Sequence, residues 1–338
     1  MASVTSGQPR KVTSRDARPV AFSEIPVIDI GPLFGTDRPA IERAAARLDE
    51  ACRQIGFFYI ENHRVSRGVI ERAYAEASRF FALPEDVKMA IHYKKAKNHV
   101  RGYVPVWQTH ADRRAKPDLH EALDLALDLP ADDPDYMAGN RMYGPNQWPE
   151  NLPGFREGIY AYYEAILDLG RTLFRGFAAA LDLPDDYFEP MITKPMGQMR
   201  VIHYPPQADL DDERLWGIGE HTDYECFTVL GQDDAGGLQV KNAAGEWIEA
   251  PPIPGAFIVN IGDIMARWTN GIYQSTPHRV LNLSGGERYS LAFFYGSNYD
   301  TLVSCLETCR DEGHPAKYPP VVAGEWTTKN LISTYFSD

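Results

Sequence analysis

From Cys226 to Tyr295 the chain is a series of short apolar runs: Cys226-Phe-Thr-Val-Leu230, Gly237-Leu-Gln-Val240, Trp247-Ile248, Ala256-Phe-Ile-Val-Asn260, His278-Arg-Val-Leu281 and Ser290-Leu-Ala-Phe-Phe-Tyr295. Gly, Pro and Asn separate them. Each run is too short for an ordinary helix and is rich in β-branched or aromatic residues, so each reads as a strand. Asn242-Ala-Ala-Gly245 has the length of a hairpin loop, and Asn270-Gly271 is a strong turn signal. Strands at this spacing predict a β-sandwich or barrel.

Upstream the pattern changes. Ile25-Pro-Val-Ile-Asp-Ile30 is a short β-rich run ended by Gly31-Pro32. Ile41, Ala44, Ala45, Leu48, Ala51, Cys52 and Ile55 recur at three and four residues, the stripe of an amphipathic helix. Gly56 stops it, and Phe57-Phe-Tyr-Ile60 reads as a strand. Helices are expected over about 67–82, from Leu83-Pro84-Glu85, and from Pro153 to about Leu181, where Pro184 follows. Residues 92–116 are basic and turn-rich, and read as a surface excursion or lid. The chain is therefore expected to be mainly β with α additions. Residues 1–21 would be a flexible tail and 22–190 a helical N-terminal region. Residues 191–300 would be the β core and 301–338 a C-terminal segment packed on it.

Composition narrows the function. The chain has 338 residues and a net charge of −13. That charge disfavours nucleic acid and anionic membranes as partners, because both call for basic surfaces. No apolar run approaches the ~20 residues that span a bilayer, and residues 1–21 lack the apolar core of a secretory signal. Cys52, Cys226, Cys305 and Cys309 are scattered, without a CxxC pair, and read as reduced thiols of a cytoplasmic enzyme. The acidic surface and absent heptads point to a monomer or weak dimer.

Three features of the β half carry chemistry. In His221-Thr222-Asp223 an imidazole and a carboxylate stand two apart, on one side of an extended strand, where both can grip one metal ion. His278 follows at a strand start. Two His and one carboxylate match the facial triad of non-haem Fe(II). Arg288 and Ser290 share a strand face, and a buried Arg beside a hydroxyl is a receptor for a carboxylate. Tyr204, before Pro205-Pro206, could supply a third donor. Each residue also has a plainer reading. A lone strand His usually packs, Asp223 suits an Asx turn, and Arg288 suits a structural ion pair. His63, His92, His99, His110, His120 and His314 have no ligand-like partner in the sequence. His203 is taken as a packing residue. The joint occurrence of the three features on alternating β sequence favours a site.

At these residues the chain resembles the iron(II)/2-oxoglutarate-dependent oxygenases. The subgroup is that of isopenicillin N synthase, flavonoid and gibberellin oxygenases, and bacterial ethylene-forming enzymes. The likeness runs from Ile25 to Asn298. Upstream it rests on Ile25-Pro-Val-Ile-Asp29, Gly56-Phe-Phe58, Asn62-His63, Phe80-Phe81, Leu83-Pro84 and Gly102-Tyr103. In the β half it rests on His203-Tyr-Pro-Pro206, Gly219-Glu-His-Thr-Asp223, Gly236-Gly-Leu-Gln239, Asn260-Ile-Gly-Asp263, Thr269-Asn-Gly271, Ser275-Thr-Pro-His-Arg-Val280 and Arg288-Tyr-Ser290.

The resemblance implies a distorted double-stranded β-helix (jelly roll) core wrapped by the N-terminal helices. It implies Fe(II) held by His221, Asp223 and His278, and 2-oxoglutarate held by Arg288 and Ser290 with help from Tyr204. Phe293 and Tyr295 would lie near the pocket wall, with Leu230, Leu238, Val280 and Phe293 as its apolar lining. The expected reaction is oxidation of a small molecule (hydroxylation, desaturation or ring closure), with 2-oxoglutarate and O2 converted to succinate and CO2. The alternatives are an iron oxidase that needs no 2-oxoglutarate, as in isopenicillin N synthase, an ethylene-forming dioxygenase, and a non-catalytic jelly-roll binding module. Ethylene-forming relatives bind arginine through an acid soon after the Gly-Tyr, and Val104–His110 offers none.

Overall fold

The computed structural model describes residues 17–18, 25–97, 100–111, 117–206, 216–242, 244–282 and 284–335. Two sheets face each other. The larger runs Val27–Asp29, Phe57–Glu61, Phe257–Ile261, Phe227–Gln232, Arg288–Tyr295, Gln198–Tyr204, Glu121–Ala126, Gly102–Val104 in spatial order. The smaller runs Ala17–Arg18, Trp247–Glu249, Leu238–Lys241, His278–Val280, Ile218–His221. The two sheets form the sandwich that the strand pattern predicts and match the jelly-roll core that the resemblance implies. Of the tail expected over 1–21, all but Ala17–Arg18 lies outside the described residues. That pair runs parallel to Trp247 and Ile248.

The outer face of the larger sheet is covered by the helix Phe155–Ala180, which packs against helices Arg38–Gln54 and Arg67–Phe81. All three helices start and stop within a few residues of their expected ends. Bulky residues on strand Arg288–Tyr295 anchor the long helix. Phe293 lies 5.0 Å from Tyr163 between ring centroids, and Tyr295 lies 5.3 Å from Phe174. Gly170 makes this approach possible, because a Cβ there would sit 2.1 Å from the Tyr295 ring.

The larger sheet takes four of its eight strands from residues before 190. Two of them, Gly102–Val104 and Glu121–Ala126, carry no strand signal in the sequence reading. The first corrects the expected surface excursion over 92–116. Val100, Arg101, Tyr103 and Val104 are buried, and Gly102–Val104 pairs with Ala122–Asp124. Residues 98–99 and 112–116 of that stretch lie outside the described residues. The second, Glu-Ala-Leu-Asp-Leu-Ala, favours helix by composition. It is a strand because neighbours on both sides satisfy its backbone and because its two acids find cations. Glu121 accepts from Lys88 Nζ at 2.6 Å and from His203 Nδ1 at 2.8 Å. Asp124 takes both Nε and Nη2 of Arg200, at 2.7 and 2.9 Å.

Candidate metal centre and pocket

His221 ends one strand of the smaller sheet and His278 begins the strand beside it, and the two are register partners. Asp223 follows just past the first strand. Its Oδ1 stands 3.7 Å from the Nε2 of each histidine. The three ligand atoms lie within 4.8 Å of one another, the only such group of His, Cys, Asp and Glu among the described residues.

Supporting contacts orient all three side chains. His221 Nδ1 bonds the Gly219 carbonyl at 2.8 Å, and His278 Nδ1 bonds the Thr276 carbonyl at 3.2 Å. Each Nδ1 therefore carries the proton, and each Nε2 lone pair points inward. Asp223 Oδ2 accepts from Asn260 Nδ2 at 2.6 Å and from the Thr228 hydroxyl, which leaves Oδ1 for the centre. Burial alone would raise the Asp223 carboxyl. His278, His221 and these two hydrogen bonds outweigh it, so the group lies below the usual carboxylate range. Burial, reinforced by His221, drives His278 down, so its imidazole is neutral and free to donate its lone pair. The donor set fits ferrous iron. Two neutral imidazoles and one carboxylate leave the ion a single net positive charge, suited to an anionic co-substrate.

The pocket around the triad is lined along strand Arg288–Tyr295 by Arg288, Ser290, Ala292 and Phe294. The paired strand contributes Tyr204, Ile202, Arg200 and Gln198, opposite them in that order. Arg288 is fully buried. Its Nε donates to the Gly236 carbonyl at 2.5 Å, its Nη1 reaches Ser290 Oγ at 3.4 Å, and its Cζ lies 4.4 Å from the Tyr204 ring centroid. No carboxylate among the described residues pairs with it.

Leu230, Leu238 and Val280 line the pocket as expected, but Phe293 and Tyr295 do not. Strand alternation explains the correction. Residues 288, 290, 292 and 294 share the pocket face, so 293 and 295 must turn to the helices. His203 packs, stacked 4.8 Å from Tyr289 and bonded to Glu121.

Much of the lining escaped the sequence reading, His120, Leu331 and Glu225 included. His120, set aside there, is buried with Nδ1 on the Gly217 carbonyl at 2.8 Å. Burial lowers its pKa. Leu331 reaches the lining from the C-terminal helix Ala323–Tyr335. Glu225 is 4% exposed, and burial, with Asp223 next to it, pushes its carboxyl up to about 8. The only available signal was its place two residues after Asp223.

Comparison with known proteins agrees with this geometry. Residues 25–151 match the family described as non-haem dioxygenase in morphine synthesis N-terminal, and residues 195–297 match the 2OG-Fe(II) oxygenase superfamily. The 2-oxoglutarate-Fe(II) type oxidoreductase hxnY of Emericella nidulans is 40% identical over 301 residues, covering 88% of this chain and 86% of the relative. Homoarginine-6-hydroxylase 2-ODD-233 of Oryza sativa subsp. japonica is 38% identical, covering 93% and 98%. A full-length Neurospora crassa protein, solved in complex with alpha-KG, superposes with a TM-score of 0.80 at 27% identity, covering 91% of this chain and 95% of that one. JOX2 in complex with 2OG, Fe and JA gives 0.76 at 30% identity, covering 98% and 91%. The chain belongs to the 2OG-Fe(II) oxygenase superfamily and is an iron- and 2-oxoglutarate-dependent dioxygenase.

Proposed function

We propose that His221 Nε2, His278 Nε2 and Asp223 Oδ1 hold the iron(II) of this dioxygenase. Arg288 and Ser290, with Tyr204, hold the far carboxylate of 2-oxoglutarate. Arg288 carries the second half of this reading: a fully buried guanidinium with no acid partner among the described residues costs several kcal/mol unless a ligand supplies the anion. Tyr204 gives the cation an aromatic face, Gly236 holds its Nε, and its Nη1 and Nη2 lie 3.4 Å from Ser290 Oγ and Gln232 Oε1. Bound at the triad, ferrous iron supplies the O2 chemistry that turns 2-oxoglutarate and O2 into succinate and CO2 and oxidises the substrate. The residues of the chain position and protect. Asn260 and Thr228 keep the Asp223 carboxylate ionised and aimed. Leu230, Leu238 and Val280 keep water from the reacting region.

The prime substrate on this reading is a small molecule that is hydroxylated, desaturated or cyclised, and the enzyme is a cytoplasmic monomer or weak dimer of the isopenicillin N synthase-like subgroup. The acidic net charge supports a small-molecule partner over nucleic acid or membrane. The test is anaerobic titration of Fe(II) and then 2-oxoglutarate, followed by a substrate screen read by succinate release. Equal binding of each in wild type on the one hand, and in Asp223→Ala for Fe(II) or Arg288→Ala for 2-oxoglutarate on the other, overturns the residue assignment. Ethylene in the headspace without added substrate identifies the ethylene-forming reaction instead.

A further inference from the structure

Gln198 carries a buried amide that bonds no side chain or backbone group among the described residues. The residue is 4% exposed and lines the pocket, while its backbone pairs with Phe294 on one side and Ala126 on the other. A primary amide offers two N–H donors and an acceptor oxygen, and leaving such a group buried without partners costs free energy. Arg200, its neighbour on the same strand face, is in the opposite state, with Nε and Nη2 both taken by Asp124.

The sheet fixes where this amide stands. Gln198 pairs with Phe294, Phe294 with Thr228, and Thr228 with Asn260, so the four form one rung across four strands. Residues directly opposite one another share a face of the sheet, and all four line the pocket. Thr228 and Asn260 are the two residues that bond Asp223 Oδ2. Gln198 is therefore level with the supports of the triad carboxylate. It stands two strand spacings from Thr228, about 10 Å between backbones. Arg288 is six residues from Phe294 along its strand, roughly 20 Å away at about 3.3 Å per residue. A keto diacid held at Arg288 comes to the triad from that far end and leaves Gln198 uncovered.

We infer that Gln198 binds the prime substrate, and that this substrate presents a hydrogen-bond donor beside an acceptor, as a carboxamide, lactam or ureide does. The inference rests on the proposed site, with 2-oxoglutarate at the Arg288 end and the substrate between Gln198 and the triad. A donor beside an acceptor satisfies the oxygen and the NH2 of Gln198 in one pair of parallel bonds. A ketone or tertiary amide reaches only the NH2 and leaves the Gln198 oxygen buried alone. One such loss is worth roughly 10-fold in affinity.

The experiment is calorimetric titration of the Mn(II)-loaded protein, with 2-oxoglutarate and then with three six-membered rings. These are 2-piperidone, which has N–H beside C=O, and N-methyl-2-piperidone and cyclohexanone, which keep only the acceptor. Wild type is compared with Gln198→Met and Gln198→Leu, two apolar side chains of similar bulk, with 2-oxoglutarate affinity as the control for a folded site. The expected result is that 2-piperidone binds wild type roughly 10-fold tighter than the other rings, and that both variants lose the preference. Equal binding of the three rings to wild type overturns the inference, as does a preference that survives in either variant. If 2-oxoglutarate does not bind wild type while the preference holds and depends on Gln198, the amide subsite stands and the co-substrate assignment fails. If 2-oxoglutarate binds and no preference exists, only the amide subsite fails.

Discussion

His221 and His278 face each other directly across two antiparallel strands, with their imidazole centroids 4.3 Å apart. A cross-strand pair at this distance needs no loop to bring it together, and the sheet's own hydrogen bonds fix its spacing. The metal centre is therefore as rigid as the ladder that carries it. Asp223 adds the third donor from the turn that follows.

Replacing His278 by Ala removes one of three donors without opening the sheet. Iron-dependent turnover should be lost and Mn(II) binding should weaken at least about 10-fold, the scale on which even indirect supports of metal ligands act. Circular dichroism and the melting transition should stay close to wild type. Retained turnover in this variant would count against the triad.

Arg288→Ala should raise the 2-oxoglutarate KM roughly 10- to 100-fold, the worth of a lost charge-assisted hydrogen bond. Saturating 2-oxoglutarate should recover most of kcat. An unchanged KM would contradict the role given to Arg288.

Phe293 and Phe294 are neighbours in sequence and opposites in function. Phe293→Ala empties a site against Tyr163 and should cost about 3–5 kcal/mol in denaturant unfolding. Phe294→Ala lies in the pocket wall and should change the KM of the prime substrate with a smaller cost in stability. The reverse pattern would show that the strand is registered one residue out.

Glu121 binds Lys88, Tyr103 and His203 at once, all buried. Burial raises its carboxyl, but the bonds from His203, Lys88 and Tyr103 outweigh that and leave it below its ordinary value. Its contribution to stability is therefore present above the ordinary Glu range, at about 4.3, and is lost as pH falls through the lower folded value. Glu121→Gln strands the Lys88 charge and should cost about 3–5 kcal/mol at pH 7. That difference from wild type should shrink on acidification, as urea midpoints at pH 7 and pH 4 would show.

Gly237 has φ of +88°, and a Cβ there would lie 2.0 Å from the Leu281 carbonyl oxygen. Gly237→Ala should cost at least about 2 kcal/mol in thermal unfolding and should weaken 2-oxoglutarate binding, because neighbouring Gly236 holds Arg288. A variant as stable as wild type would show that the strand tolerates the shift.

Much of this enzyme was legible in local patterns. The apolar runs after Met199 mark a β core because short apolar runs between turn residues fit strands of a buried sheet. The stripes at three and four mark the helices for the same kind of reason. The HxD, the later His and the Arg-x-Ser mark the candidate site, since metal and carboxylate recognition demand particular side chains at particular spacing.

Other features depend on contacts between distant segments. Glu121–Ala126 has helical composition, and it is a strand only because two partners and the cations Lys88 and Arg200 wait on either side of it. The pocket face of Arg288–Tyr295 is fixed in phase by Arg288, but which of its aromatics meet solvent, helix or ligand depends on what packs against each face. Glu225, His120 and Leu331 carry no motif. They reach the pocket from a bend, a loop and the last helix, and no spacing along the chain encodes that convergence. Local sequence specifies which groups are present and their period, whereas the folded chain alone sets which of them share a cavity and which buried charges lack a partner.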